Sequence, residues 1–270
     1  MNNIDFKVEQ QLSKMTLEEK VGQMTQITLG VLAKGGRADD RPEPVVIDID
    51  SLTIAIKKYK IGSILNTVNN RARTLEFWGK TINQIQEISM KELGIPILFG
   101  IDAIHGNTYT AKSTLFPQEI CQAASFNPEL VKQLNGITTY EMRASNIPWT
   151  FAPVLDMGRD ARDARFWETY GEDVFLCQKM GIAAVEGIQG DKNIIDEKKG
   201  AACLKHFLAY NSNSGKDRNP LDISVRELLE RHAPSFQAAI DAGAKSIMVS
   251  SGIMPGVAVH ANYEILTQLT

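Results

Sequence analysis

An α/β fold, with a parallel sheet covered by helices, is what this sequence predicts. Five short apolar runs alternate with segments of helical periodicity, which is the order of a βα architecture. The clearest run, Ile95-Pro-Ile-Leu-Phe-Gly-Ile101, is continuous rather than alternating, as a strand buried on both faces requires. Polar residues then close several of the runs: Asp102, Asp156, the adjacent Lys205 and His206, and Ser250-Ser251. In βα folds the loops at the carboxyl ends of the strands converge on the ligand site, so one rim is predicted, either a barrel mouth or the crevice of an open sheet.

The elements follow in order. Thr16-Leu-Glu-Glu19 reads as a capping box opening a helix, because Thr16 caps while Glu19 reaches back. Residues 31–48, rich in Gly, Pro and charge, read as a loop, and Ile61-Gly-Ser-Ile-Leu65 as a short strand. From Thr74 to Leu93 the apolar residues Leu75, Trp78, Ile82, Ile85 and Ile88 recur near a helical period. Asn127 caps a further helix with Pro128 at its first position. The strand Trp149–Leu155, a helix from about Val174 to Ile188, the strand Ala201–Phe207 and a helix Ser224–Ala242 come next. Ser246–Ser250 reads as the last strand, and Ala261 to Thr270 as the start of a final helix. Trp78 and Trp149 are expected in the core.

Composition narrows the function classes. The chain has 270 residues, of which 43% are apolar and 23% charged, enough for one large domain or two small ones. Its net charge of −3 argues against nucleic acid, which favours a basic face. No stretch approaches the ~18 uninterrupted apolar residues of a membrane helix. The start, Met1-Asn-Asn-Ile-Asp-Phe-Lys7, lacks an apolar run with a small-residue cleavage site, so a secretory signal is expected to be absent or removed. Cys121, Cys177 and Cys203 are odd in number and far apart, which disfavours a disulfide framework or a zinc site.

Four residues stand out as a candidate polar pocket for something rich in hydroxyls: Asp102, Arg165, Lys205 and His206. Each has an ordinary structural reading as well. Asp102 serves equally well as a turn cap, His105 beside Gly106 as a structural histidine, and Arg159 to Arg165 as a solvated charged loop. For Lys205-His206 the structural reading is weaker, because two ionisable groups ending a buried run cost desolvation unless paired or facing a polar cavity. From residue types alone, Asp102 with Asp156, Asp160 or Glu168 would make a pair of catalytic carboxyls.

Several segments in order resemble glycoside hydrolase family 3, notably its β-glucosidases and exo-β-glucanases. They are Gly100-Ile-Asp-Ala-Ile-His-Gly106, Leu115-Phe-Pro117, Phe151-Ala-Pro-Val-Leu-Asp156, Arg162 with Arg165 and Glu168-Thr-Tyr-Gly-Glu-Asp173, and Lys205-His-Phe207. Thr16-Leu-Glu-Glu-Lys20 and Gly22-Gln-Met24 are similar to the family's amino-terminal helix. The resemblance implies a (β/α) TIM-barrel-like domain whose rim binds a terminal, non-reducing sugar. Asp102 would accept from the sugar hydroxyls, and Arg165, Lys205 and His206 would donate to them. Asp163 and Ala164 depart from the usual Trp-Gly between the arginines, and Ser251 from a frequent tyrosine.

The same resemblance places the catalytic machinery elsewhere. In this family the nucleophile is an aspartate in Ser-Asp-Trp or Thr-Asp-Trp on a later strand, and neither tripeptide occurs here. Ser246-Ile-Met-Val-Ser-Ser-Gly252 with Val257-Ala-Val-His-Ala-Asn262 resembles the stretch just upstream of it. The expectation is therefore a barrel truncated before its last strands, with the nucleophile after Thr270 and no catalytic residue within the chain. The acid/base would come from a second domain, absent from 1–270, since Leu208 to Pro220 lacks the histidine that another branch uses there. Expected partners are an oligosaccharide or β-glucoside and the remaining barrel with the second domain, in cis or as another chain. No cofactor, metal, nucleic acid or membrane is implied; the compartment is periplasmic or extracellular if a signal was removed, otherwise cytoplasmic. The competing expectation is a complete, non-catalytic carbohydrate-binding or interaction protein built from a degenerate barrel. A metal-dependent hydrolase lacks converging ligands, with His105 and His206 its only rim candidates.

Overall fold

The computed structural model describes residues 3–268 apart from 38, 191–193, 212–214, 216, 217, 219, 221 and 255. The chain forms two compact units, Met1–Ile101 and Asp102–Thr270.

In the first unit, three short strands, β1 (Gln26–Thr28), β2 (Ser63–Leu65) and β3 (Leu98–Ile101), pair in parallel with Ile27, Ile64 and Phe99 in register. Helices α2 (Leu17–Gln23) and α4 (Leu75–Glu92) stand where the sequence predicts them, while α1 (Asn3–Leu12) and α3 (Ile49–Lys57) are additional to that reading. Their starts are set locally: Thr16 and Glu19 form the expected capping box, and Asp48 and Thr74 cap α3 and α4. On α4 the helical stripe buries Trp78, Ile82 and Ile85, and the Trp78 ring meets Phe99 edge-on at 5.7 Å. Leu75, counted in that stripe, is exposed. Strand β1 was not legible: a three-residue Gln-Ile-Thr run has a single aliphatic side chain and follows α2 after only two residues. Within 31–48 the described residues stay largely irregular, tied by a bidentate ion pair between Glu43 and Arg73. The Arg73 guanidinium holds the Glu43 carboxyl at about 2.

In the second unit, β4 (Trp149–Thr150), β5 (Ala201–Phe207) and β6 (Ser246–Val249) pair in parallel. Around them lie α5 (Glu119–Ala123), α6 (Pro128–Ala144), α7 (Val174–Gln189), α8 (Val225–Glu227) and α9 (Ala233–Asp241). Asn127, Asp173 and Ser224 accept the first free amides of α6, α7 and α8. The core of this unit joins α7 to the strands through Met180, Ala184, Ile188, Ala202, Leu204 and Phe236.

Five expectations are refined here. The run 149–155 forms regular ladder only at Trp149–Thr150, because Pro153 has no N–H to contribute; beyond it only Val154 bridges to Lys205. Trp149 is half-buried, its indole N–H donating to Ser246 Oγ at 2.8 Å, and so is not a core residue. The helix read as Ser224–Ala242 contains a π turn at Leu228–His232, just before Pro234. Proline offers no N–H to the preceding turn and crowds its carbonyls, which a wider turn relieves. Beyond β6 an antiparallel hairpin joins β7 (Ile253–Met254) to β8 (Val257–Ala258), so β6 is not the last strand. The final helix begins as a 3₁₀ turn at Val259–Ala261 and a π turn at Glu264–Gln268; Thr270 lies outside the described residues. Among the described residues no helix is long and apolar enough to cross a membrane.

Two features of this packing bear directly on stability. A Cβ on Gly187 of α7 would lie 2.3 Å from the Lys132 carbonyl and 2.8 Å from Asn135 Cβ on α6. Gly187→Ala should therefore cost about 1–3 kcal/mol by overpacking, read as a lower urea midpoint. His232 sits 4% exposed in the π turn, and burial, only partly offset by Asp156 and Glu227, lowers its pKa. The unfolded chain then takes up the proton first, near the ordinary value of about 6.5, so stability falls as pH drops from there through the depressed folded value. Melting temperature plotted against pH should fall more steeply on the acid side for the wild type than for His232→Gln.

Candidate functional site

The polar residues of the second unit are brought together by the backbone ladder between 153–155 and β5. Leu155 donates its N–H to the Lys205 carbonyl at 2.7 Å, and Lys205 donates its own to Pro153 at 3.2 Å. This sets Asp156 beside His206. In a regular strand neighbouring side chains leave on opposite faces. Here the β5–β6 register shifts between Lys205 and Phe207, and both Lys205 and His206 meet carboxylates.

Lys205 Nζ donates to Asp102 Oδ1 at 2.6 Å. The two partners differ in burial: the lysine side chain is 1% exposed and the aspartate 29%. The ammonium is thus inside, and the carboxylate it holds faces outward. Asp102 follows β3 directly, as the sequence predicts.

His206 is held twice by the buried Asp156, through its backbone N–H to Oδ1 at 3.1 Å and its ring Nδ1 to Oδ2 at 2.7 Å. On the other side, Arg165 Nη1 stands 3.3 Å from His206 Nε2. A guanidinium only donates, so Nε2 accepts and the ring proton sits on Nδ1, where it is given to Asp156. Both ring nitrogens are engaged in this arrangement. Nε2 then carries no proton, so His206 can meet a ligand hydroxyl only as an acceptor, in place of Arg165, and not as the donor the resemblance implies.

Arg165 forms a bidentate pair with Glu168, at 3.0 Å from Nε and 2.6 Å from Nη2, and its Nη1 also donates to the Tyr210 hydroxyl at 3.3 Å. Burial works against its charge, but the Glu168 carboxylate outweighs it and raises the pKa further. Tyr210 completes the cluster, its ring stacked on His206 at 4.2 Å and facing the Arg165 guanidinium at 5.2 Å.

All four predicted residues therefore lie in two neighbouring groups, Asp102 with Lys205 and Arg165 with His206. The carboxyls nominated from residue types take other places. Asp156 is the buried anchor of His206 and Glu168 the partner of Arg165. Asp160 is spent on Arg162, which holds its carboxyl at about 2. Ser250 is buried and caps a local turn through Gly252 N–H, and His105 Nδ1 meets the Phe116 carbonyl, as a structural histidine does. The loop Leu208–Pro220 lies partly outside the described residues. Tyr210 and the anchoring role of Asp156 went unread: a lone tyrosine after a strand gives no local sign, and Asp156 meets its partner 50 positions away.

Known proteins share this arrangement of chain. The lysosomal β-glucosidase of Dictyostelium discoideum is 37% identical over 284 residues, covering 100% of this chain and 34% of its own length. Among solved structures, the exo-1,3/1,4-β-glucanase of a Pseudoalteromonas species superposes with a TM-score of 0.87 at 29% identity, over 100% of this chain and 33% of its own. The β-glucosidase of Listeria innocua in complex with glucose does so at 0.81 and 31% identity, over 100% and 36%. The chain thus spans about a third of the length of the relatives it matches. The fold class is the parallel, (β/α) TIM-barrel-like one. The model of the glycosyl hydrolase family 3 N-terminal domain matches residues 16–269, and the chain belongs to that family.

Proposed function

We propose that this chain is the sugar-holding part of a retaining β-glucosidase, one portion of an amino-terminal barrel domain. In this reading Asp102, Arg165, Lys205 and His206 surround the hydroxyls of a terminal, non-reducing, β-linked glucose-type unit. The observation that carries it is the Asp102–Lys205 pair, a half-open carboxylate fixed by a buried ammonium. A sugar hydroxyl both donates and accepts; a carboxylate accepts from it while ammonium and guanidinium groups donate to it. Such charge-assisted bonds are the stronger kind, and those to the hydroxyl beside the anomeric carbon tighten as the ring flattens in the transition state.

The nucleophile and the acid/base come, in this proposal, from residues other than these 270. Retention needs two carboxyls about 5–5.5 Å apart across the bond, one of them free to attack. Around the cluster, Asp102, Asp156 and Glu168 are each engaged by Lys205, His206 and Arg165. Relatives about three times as long lend support to a division of the site between segments.

The isolated 270-residue chain should not turn over p-nitrophenyl β-glucoside; release of nitrophenol at the rate of the full-length protein would overturn the division of labour. In the full-length protein, Asp102→Ala should lower kcat/KM for that substrate by about 100-fold or more, roughly 3 kcal/mol of transition-state stabilisation. An unchanged value would remove Asp102 from the site.

A further inference from the structure

Glu119 is a carboxyl near the cluster that, among the described residues, no cation holds by a hydrogen bond. It opens α5 and is 1% exposed. Its Oε1 accepts a hydrogen bond from Val154 N–H at 3.3 Å. Its Oε2 is buried without a hydrogen-bond partner among the described residues, and the same holds for the Tyr170 hydroxyl, whose pKa burial raises and a charge on Glu119 would raise further. Val154 is the residue that bridges to Lys205 in the ladder described above.

The charged groups around Glu119 come from several elements. Lys205 on β5 is the cation that acts on it, and its ammonium is committed to Asp102 at 2.6 Å. Asp156 and Glu168 are anions and repel a third, and burial keeps the Tyr170 phenol and the Cys177 thiol of α7 neutral. Resting on the sugar-site reading above, we propose that Glu119 is a positioning residue that works as a neutral carboxylic acid, pinning Val154 beneath the rim while leaving Lys205 to Asp102. A buried carboxylate with one donor would be stranded, whereas a neutral acid with the same bond is tolerable. Ionised, it would also compete with Asp102 for the Lys205 ammonium and loosen the ladder that sets Asp156 against His206. Burial accordingly raises the Glu119 pKa well above the carboxylate range, against the opposing pull of Val154 N–H and Lys205.

The test is the ¹⁵N resonance pair of the His206 ring, which reports its bonds to Asp156 and Arg165 whether or not a substrate is turned over. In the full-length protein, Glu119→Gln, an isostere of the neutral acid, should keep those shifts, and Glu119→Leu should move them. On raising pH the wild type should drift as Glu119 ionises, while Glu119→Gln stays fixed. Melting temperature should also decline with rising pH, from the ordinary carboxylate range toward the raised folded value, more in the wild type than in Glu119→Gln. If Glu119→Gln disturbs His206 as Glu119→Leu does, or if neither the leucine variant nor alkaline pH moves it, the assignment is wrong. Should Glu119→Leu fail to fold, the glutamine and pH comparison decides alone. In kinetics, Glu119→Gln should hold kcat/KM within about threefold of wild type, and Glu119→Leu should lower kcat more than it raises KM. Expected His206 shifts without any β-glucoside turnover would retain the positioning role and reject the glucosidase reading.

Discussion

A lysine ammonium buried to 1% exposure inside the second unit can be carried only beside an anion, and Asp102 stands 2.6 Å from it. Removing an ion from water costs several kcal/mol even after relaxation, on the order of what a close counter-ion returns. The pair therefore fixes geometry more than it adds stability. Because only the ammonium is fully buried, the outcome is asymmetric: the lysine is immobilised, and the aspartate is presented at the surface with its orientation set from behind. A carboxylate held in that way loses little freedom when it meets a hydroxyl, which is the preorganisation that binding and transition-state stabilisation both draw on.

The second group follows the same logic with a different chemistry. Asp156 grips the His206 backbone and ring together, so the imidazole has neither rotational nor tautomeric freedom. Its accepting nitrogen then turns to Arg165, which also donates to Glu168 and Tyr210. Each cation in the cluster has its own anion, which keeps a polar pocket from accumulating charge in a poorly solvated place. Asp156, held by the neutral His206, already leaves the cluster one negative charge in excess, so an ionised Glu119 would add a second, and a neutral one adds none.

Much of this fold was legible because its signals are local. The caps at Thr16, Thr74, Asn127 and Ser224 each lie within three residues of the amide they satisfy, and the apolar runs at 95–101 and 201–207 are uninterrupted up to the residues that close them. The clustering of Lys205 and His206 was legible for a related reason: ionisable groups ending an apolar run are costly unless paired, and both are paired. What escaped the sequence depends on long-range contact. Asp156 looks like any catalytic carboxyl until His206 is beside it, and Glu119 like a helix-opening glutamate until its burial is known. The π turn at Leu228–His232 was readable in part, since Pro234 stands inside the predicted helix, but the wider turn that accommodates it is a packing outcome.

A double-mutant cycle on Asp102 and Lys205, measured as kcat/KM for p-nitrophenyl β-glucoside in the full-length protein, addresses the central claim most directly. If the buried ammonium exists to present the carboxylate, Asp102→Ala, Lys205→Met and the double variant should lose about the same amount, because either single change already dismantles the unit. Losses that add in the double variant would mean that the two residues act independently, and negligible losses in all three would place the sugar elsewhere.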